Sequence, residues 1–140
     1  RTAVDSRIFD AAGPLLFLFS GEGDEVVDRA EALRARTANV ERVKVCDAEG
    51  RADIASVLKL LLEDYGCNEV LIEAGATLAG GFISEGLVDE LIIYLAPKLL
   101  GSDGRPLLDF GEITSMDLAP RFAIASATQL GEDLRIVFKR

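Results

Sequence analysis

"LIEAGATLAGGFISEGLVDELIIYLAPKLLG", Leu71 to Gly101, decides how the rest of the sequence is read. An apolar run ends in Glu73, and Gly75 makes a tight turn. A short helix is expected over 76–85, closed by Gly86, and a second apolar run follows over 90–100, with Pro97 near its far end. Strand, glycine turn, helix and strand in succession suggest an α/β unit. Two features ask for an explanation. A glutamate ends a strand expected to be buried, and Gly80–Gly81 sit inside a helix, where each glycine costs roughly 1 kcal/mol relative to alanine.

The same grammar extends on both sides. Residues 1–5 alternate weakly and read as the end of a strand, and "PLLFLFS" (14–20) reads as a short buried strand. Val26, Val27, Ala30 and Leu33 give 24–37 one apolar helical face, and 39–47 alternates as a strand. The spacing of Ile54, Val57, Leu58, Leu61 and Tyr65 predicts a helix over 53–66, with Asp53 as its cap and Gly66 at its end. "EVLIEA" (69–74) reads as a strand. After Gly101 the pattern becomes loop-like, and the last stretch alternates on both sides of Gly131-Glu132-Asp133, which predicts an antiparallel hairpin. The expected fold class is α/β: a mainly parallel sheet covered on both faces, three layers in all, with a C-terminal antiparallel hairpin.

Composition narrows the function. A chain of 140 residues suggests a single domain, 1–140, large enough for a sizeable core. With 24 acidic and 15 basic residues the formal charge is −9, which disfavours nucleic acid as a partner. No apolar run approaches the ~20 residues of a membrane span, and no basic start followed by an apolar stretch suggests a signal peptide. Histidine is absent, so Ser-His-Asp and Cys-His catalysis and His-based zinc sites are excluded for this chain. Cys46 and Cys67 lack a metal-ligand spacing, and reduced thiols in a cytoplasmic protein are expected. The sequence opens "RTAVDS" without a methionine, its one Met being Met116, and is expected to be a piece of a longer polypeptide.

A turn between strand and helix lies at the carboxyl end of a sheet, where ligands of open α/β sheets sit. The first amides of the helix, near Ala76, Thr77 and Leu78, are donors suited to a phosphate. Gly75 is read as allowing a backbone shape that a Cβ would forbid. Gly80 and Gly81 allow close approach either of a flat ligand or of a neighbouring strand. The plainer reading keeps both glycines for packing and lets Glu73 reach water or cap a helix. Lys98 and Arg105 invite a phosphate-binding role but read better as solvated side chains. "EGLVDE" (85–90) reads as a solvated turn rather than a metal site.

The segments "EAGATLA", "GLVDE" and "APKLLG", in this order and spacing, closely resemble the reductase domain of the bifunctional riboflavin biosynthesis deaminase/reductase. The "VDS" at 4–6 resembles an early strand end of the same family. This resemblance implies a dihydrofolate-reductase-like fold and NADPH-dependent reduction of 5-amino-6-(5-phosphoribosylamino)uracil, its ribosyl group becoming a ribityl chain by hydride delivery to C1′. Carried over by position, Glu73 contacts the substrate. Gly75, Ala76, Thr77, Leu78, Ala79, Gly80 and Gly81 form the cofactor loop, and Ser6 lies near a further cofactor contact. Ala76 departs from the proline or glycine often found there. No residue is assigned the chemical step, and no metal is implied.

The resemblance also implies a homo-oligomer, a dimer or larger, and a deaminase domain in the full-length chain. The family's reductase domain begins before this sequence does. Two alternatives stand beside it: a non-catalytic structural or oligomerisation fragment, using "ELIIYLAPKLL" as an interface, and a related reductase acting on another pteridine- or pyrimidine-like substrate.

Overall fold

A computed structural model describes residues 3–21, 23–36, 39–44 and 50–140. The chain groups into two compact units, Arg1–Glu69 and Val70–Arg140.

In the N-terminal unit, Ala3–Asp5 form a turn rather than the expected strand end, with the Ser6 amide donating to the Ala3 carbonyl at 3.1 Å. A 3-10 turn, Arg7–Asp10, follows. Strand β1 (Phe17–Phe19) and strand β2 (Val40–Arg42) pair in parallel, Phe17 opposite Val40. Helix α1 (Asp24–Arg34) connects them. A right-handed helical crossover is the usual way to join parallel neighbours. Ala30, Leu33 and Val40 are buried together, with Phe9, Phe17 and Phe19 packed against them. Phe9 and Phe17 stack at 5.4 Å between centroids. Val27, expected on the apolar face of α1, is 39% exposed. Steps of four and three residues from Val26 reach Ala30 and then Leu33 along one stripe, and Val27 falls beside it. The remainder of the expected strand 39–47, including Cys46, lies outside the described residues.

Helix α2 (Ile54–Glu63) begins as its sequence predicts: the Asp53 carboxylate accepts from the Ser56 amide at 2.9 Å. The Lys44 ammonium lies 3.7 Å from the same carboxylate, and the Asp53 amide donates to the Lys44 carbonyl at 2.8 Å. Gly66, at φ +65°, turns the chain after the helix. Of the predicted face, Ile54 is buried, Val57, Leu58 and Leu61 are half-buried, and Tyr65 is exposed. The Asp53 carboxyl is held below its usual value of 3.8, first by the Ser56 amide; desolvation opposes this, and the Ser56 hydroxyl and then the Lys44 charge add to the lowering. A depressed folded-state value means that the stabilisation is present above the unfolded pKa and is lost as pH falls through the folded one. Asp53→Ala is therefore expected to lower the thermal midpoint at neutral pH. Melts taken below the carboxylate range should find the gap closed; a gap independent of pH would contradict this.

In the C-terminal unit, Val70–Gly75 leads into helix α3 (Ala76–Ser84). The strand expected over 69–74 does not form a ladder: Leu71 is 79% exposed and the segment carries no strand pairing. Strand structure exists only where a partner edge supplies the hydrogen bonds, and β propensity alone cannot supply it.

Strand β3 (Glu90–Leu95) follows α3. It stops two residues before Pro97, whose missing N–H and restricted neighbour end the ladder earlier than the expected residue 100. Strands β4 (Ala123–Leu130) and β5 (Asp133–Lys139) form the predicted hairpin, with Gly131 at φ +63° as the first residue of the two-residue turn. The sheet order is β3-β5-β4, antiparallel throughout, with an irregularity between Ile124 and Ser126. Glu90 faces Lys139 across the β3–β5 pair, and their side chains lie 3.2 Å apart.

The C-terminal turn of α3 is held by Arg140. Its amide donates to the Asp89 carbonyl at 3.1 Å, its guanidinium donates to the Gly86 carbonyl, and it lies over the Phe122 ring at 5.9 Å. Gly86, at φ +74°, closes the helix as its sequence predicts.

Candidate functional site

The start of α3 is built without a side-chain cap. Gly75 occupies the cap position, and the first turn carries no acidic residue. The first intrahelical bond runs from the Ala79 amide to the Gly75 carbonyl at 3.1 Å. The amides of Ala76, Thr77 and Leu78 precede it, so they have no partner within the helix. Three such donors at the positive end of a helix dipole suit an anion. Thr77 and Leu78 are exposed, and Ala76 and Ala79 are half-buried.

Gly75 has φ −72° and ψ 169°, a conformation open to any residue, so the expectation that a Cβ is forbidden there by backbone shape is corrected. A Cβ built at Gly75 meets nothing within 4 Å, and what the glycine leaves beside the first amides is open space. Glu73, two residues earlier, is exposed. Glu73 thus lies just before α3, and 75–81 runs from the cap position into the middle of that helix.

Gly80 has a different reason. A Cβ there would lie 2.1 Å from the Asp109 carbonyl oxygen and 2.9 Å from its amide nitrogen. No rotation relieves a clash with backbone, so the segment around Asp109 rests directly on the helix. The Asp109 amide donates to the Ala76 carbonyl at 3.1 Å, one turn before Gly80. Of the two neighbours weighed for Gly80, a flat ligand or a strand, the space is filled by a neighbouring backbone. Sequence reading missed Asp109 because it lies in an aperiodic stretch; the apolar "PLLDF" within that stretch was the available signal. Gly81 is half-buried, and its carbonyl accepts from the Ser84 hydroxyl at 3.0 Å.

Ser6 belongs to the other unit. It caps the 3-10 turn, its hydroxyl accepting weakly from the Ile8 amide at 3.5 Å. A shallow groove beside it in sequence is lined by Val4, Asp5, Arg29, Ala32 and Arg36, and Arg36 lies over the Phe9 ring at 5.0 Å. Lys98 and Arg105 are exposed. Among the described residues no group of three His, Cys, Asp or Glu is placed to hold a metal ion, and no helix is long and apolar enough to cross a membrane.

Residues 7–136 match the RibD C-terminal domain. The chain belongs to that family. It is 39% identical over 95 residues to the riboflavin biosynthesis protein RibD of Escherichia coli, covering 68% of this chain and 26% of that protein. It is 36% identical over 99 residues to a protein of Buchnera aphidicola named 5-amino-6-(5-phosphoribosylamino)uracil reductase, covering 71% of this chain and 47% of that one. Among solved structures, Acinetobacter baumannii RibD superposes with a TM-score of 0.64 at 27% identity, over 99% of this chain and 41% of that one. The chain thus spans about a quarter to a half of the length of these relatives. The fold class is α/β, the dihydrofolate-reductase-like fold, with a C-terminal antiparallel hairpin. Within it, the ladders described here are the parallel β1–β2 pair and the antiparallel β3-β5-β4 set.

Proposed function

We propose that this chain is the reductase part of a riboflavin-biosynthesis enzyme, reducing 5-amino-6-(5-phosphoribosylamino)uracil to the ribitylamino product with NADPH. The observation that carries the reading is the uncapped start of α3, with open space at Gly75 and Glu73 just before it, in a chain of this family. The residues fit the cofactor: three amides without helical partners and no acid in the first turn favour a pyrophosphate. The amides of Ala76, Thr77 and Leu78 would hold NADPH, and the hydride it would supply to the sugar C1′ would, with a proton to the ring oxygen, turn the ribosyl group into a ribityl chain.

In this reading the amides of Ala76, Thr77 and Leu78 bind the pyrophosphate, and the absence of a side chain at Gly75 lets the backbone approach it. Ala79, Gly80 and Gly81 complete the helical support of that loop, and Ser6 makes a further cofactor contact. Glu73 orients the substrate through hydrogen bonds to ribose or base. Such positioning contributes by holding the reacting carbon in line for transfer. Homodimerisation, a deaminase domain in the same polypeptide and a cytoplasmic setting belong to the same proposal.

Calorimetric titration with NADPH, with NADH as competitor, tests it. Thr77→Glu is the informative variant: an acid in the first turn favours the helix but repels a pyrophosphate. It should weaken NADPH binding by roughly tenfold or more without lowering the thermal midpoint. Glu73→Gln should leave NADPH affinity unchanged while raising the substrate KM or lowering turnover. A folded chain indifferent to NADPH, or a Thr77→Glu variant that binds it equally well, would overturn the cofactor assignment.

A further inference from the structure

We infer that the main-chain amide of Asp109 is a positioning group for the α3 anion site, and that Gly80 exists to admit it. The inference rests on the cofactor reading above. The Asp109 amide donates to the Ala76 carbonyl at 3.1 Å. That carbonyl and the Thr77 N–H belong to one planar peptide unit, so fixing the carbonyl fixes the direction in which the Thr77 N–H points. The Thr77 N–H is one of the three donors offered to the pyrophosphate. A hydrogen bond accepted by the carbonyl also polarises the peptide and strengthens its N–H as a donor.

Asp109 can reach Ala76 only because Gly80, one turn further along the same face of α3, has no side chain. A Cβ there would lie 2.1 Å from the Asp109 carbonyl oxygen. Helices open with weakly held first turns. Here the first peptide of α3 is tied from outside by a segment distant in sequence. Order of this kind, set before the ligand arrives, raises affinity by cutting the ordering cost of binding.

Because the contact is main-chain, the variants separate cleanly. Asp109→Ala keeps the amide and should bind NADPH within twofold of wild type. Asp109→Pro removes the donor and should weaken binding about fivefold, the worth of one net hydrogen bond. Gly80→Ala displaces the segment and should weaken binding by a similar factor, and the Gly80→Ala, Asp109→Pro double variant should be no worse than the single ones. Linkage adds a test that needs no variant: if the tie raises cofactor affinity, cofactor must strengthen the tie. Exchange of the Asp109 amide should therefore slow by about fivefold on saturation of the chain with NADPH. A folded Asp109→Pro chain that binds within twofold of wild type, or an Asp109 amide whose exchange NADPH leaves unchanged, overturns the positioning role alone. A wild-type chain that fails to bind NADPH overturns the cofactor reading as well.

Discussion

Phe82→Ala is expected to destabilise the C-terminal unit by about 3 kcal/mol, toward the lower end of the usual cost of deleting a buried aromatic ring. Phe82 is 6% exposed on α3. Only Gly80, Phe82, Ile83 and Val137 are buried among the residues of that unit. With so few buried side chains, each carries a large share of the apolar area removed from water. Half-exposed neighbours can settle into part of the vacated volume, which holds the cost below the top of the range. Leu78→Ala is the control on the same helix: Leu78 is 51% exposed and should cost less than about 1 kcal/mol. Urea denaturation followed by circular dichroism would measure both. Equal losses would mean that α3 is not anchored through Phe82. Because α3 carries the proposed anion site, the Phe82→Ala chain should also bind NADPH more weakly than its folded fraction accounts for.

A larger loss is expected from Val137→Asp. Val137 is 6% exposed on β5, the central strand, opposite Ile92 on β3 and Ser126 on β4. A carboxylate there has neither water nor a cationic partner in register, and the cost is about 4 kcal/mol or more, comparable with the whole stability of a small domain. The sign of the pH dependence follows. Burial raises the folded-state pKa of the introduced carboxyl above its unfolded value, so the penalty is smallest in acid and grows as pH rises through the carboxylate range. Ile124→Asp on β4 is the comparison: Ile124 is 67% exposed, and a charge at that position stays in water. Amide exchange across β5 should accelerate in the Val137→Asp chain and remain near wild type in Ile124→Asp. Similar exchange in the two variants would refute the placement of Val137 in the core.

What was legible in the sequence is what local chemistry encodes. Asp53 announced the start of α2, Gly66 its end, Gly86 the end of α3, and Gly131 the hairpin. Each acts on atoms within a few residues of itself, through a cap bond or a positive φ, so its effect does not depend on the rest of the fold. The start of α3 as an anion-binding candidate was legible for the same reason: a helix that opens on glycine and alanine has no side chain to cap its own amides. Three linked segments at fixed spacing then carried the family.

Other features were settled only by contacts between distant residues. The apolar run of 90–100 says that a strand forms, but nothing in it names β5 as its antiparallel partner or fixes their register. The run 69–74 has the same β character and lacks a ladder, because pairing needs an edge that local sequence does not supply. Gly80 shows the division most clearly. The sequence by itself determined that a helix here carries a glycine at some cost and that the glycine allows a neighbour to come close. Only the tertiary structure decided that the neighbour is the backbone of Asp109, since a missing side chain records the space it leaves and not the atoms that fill it.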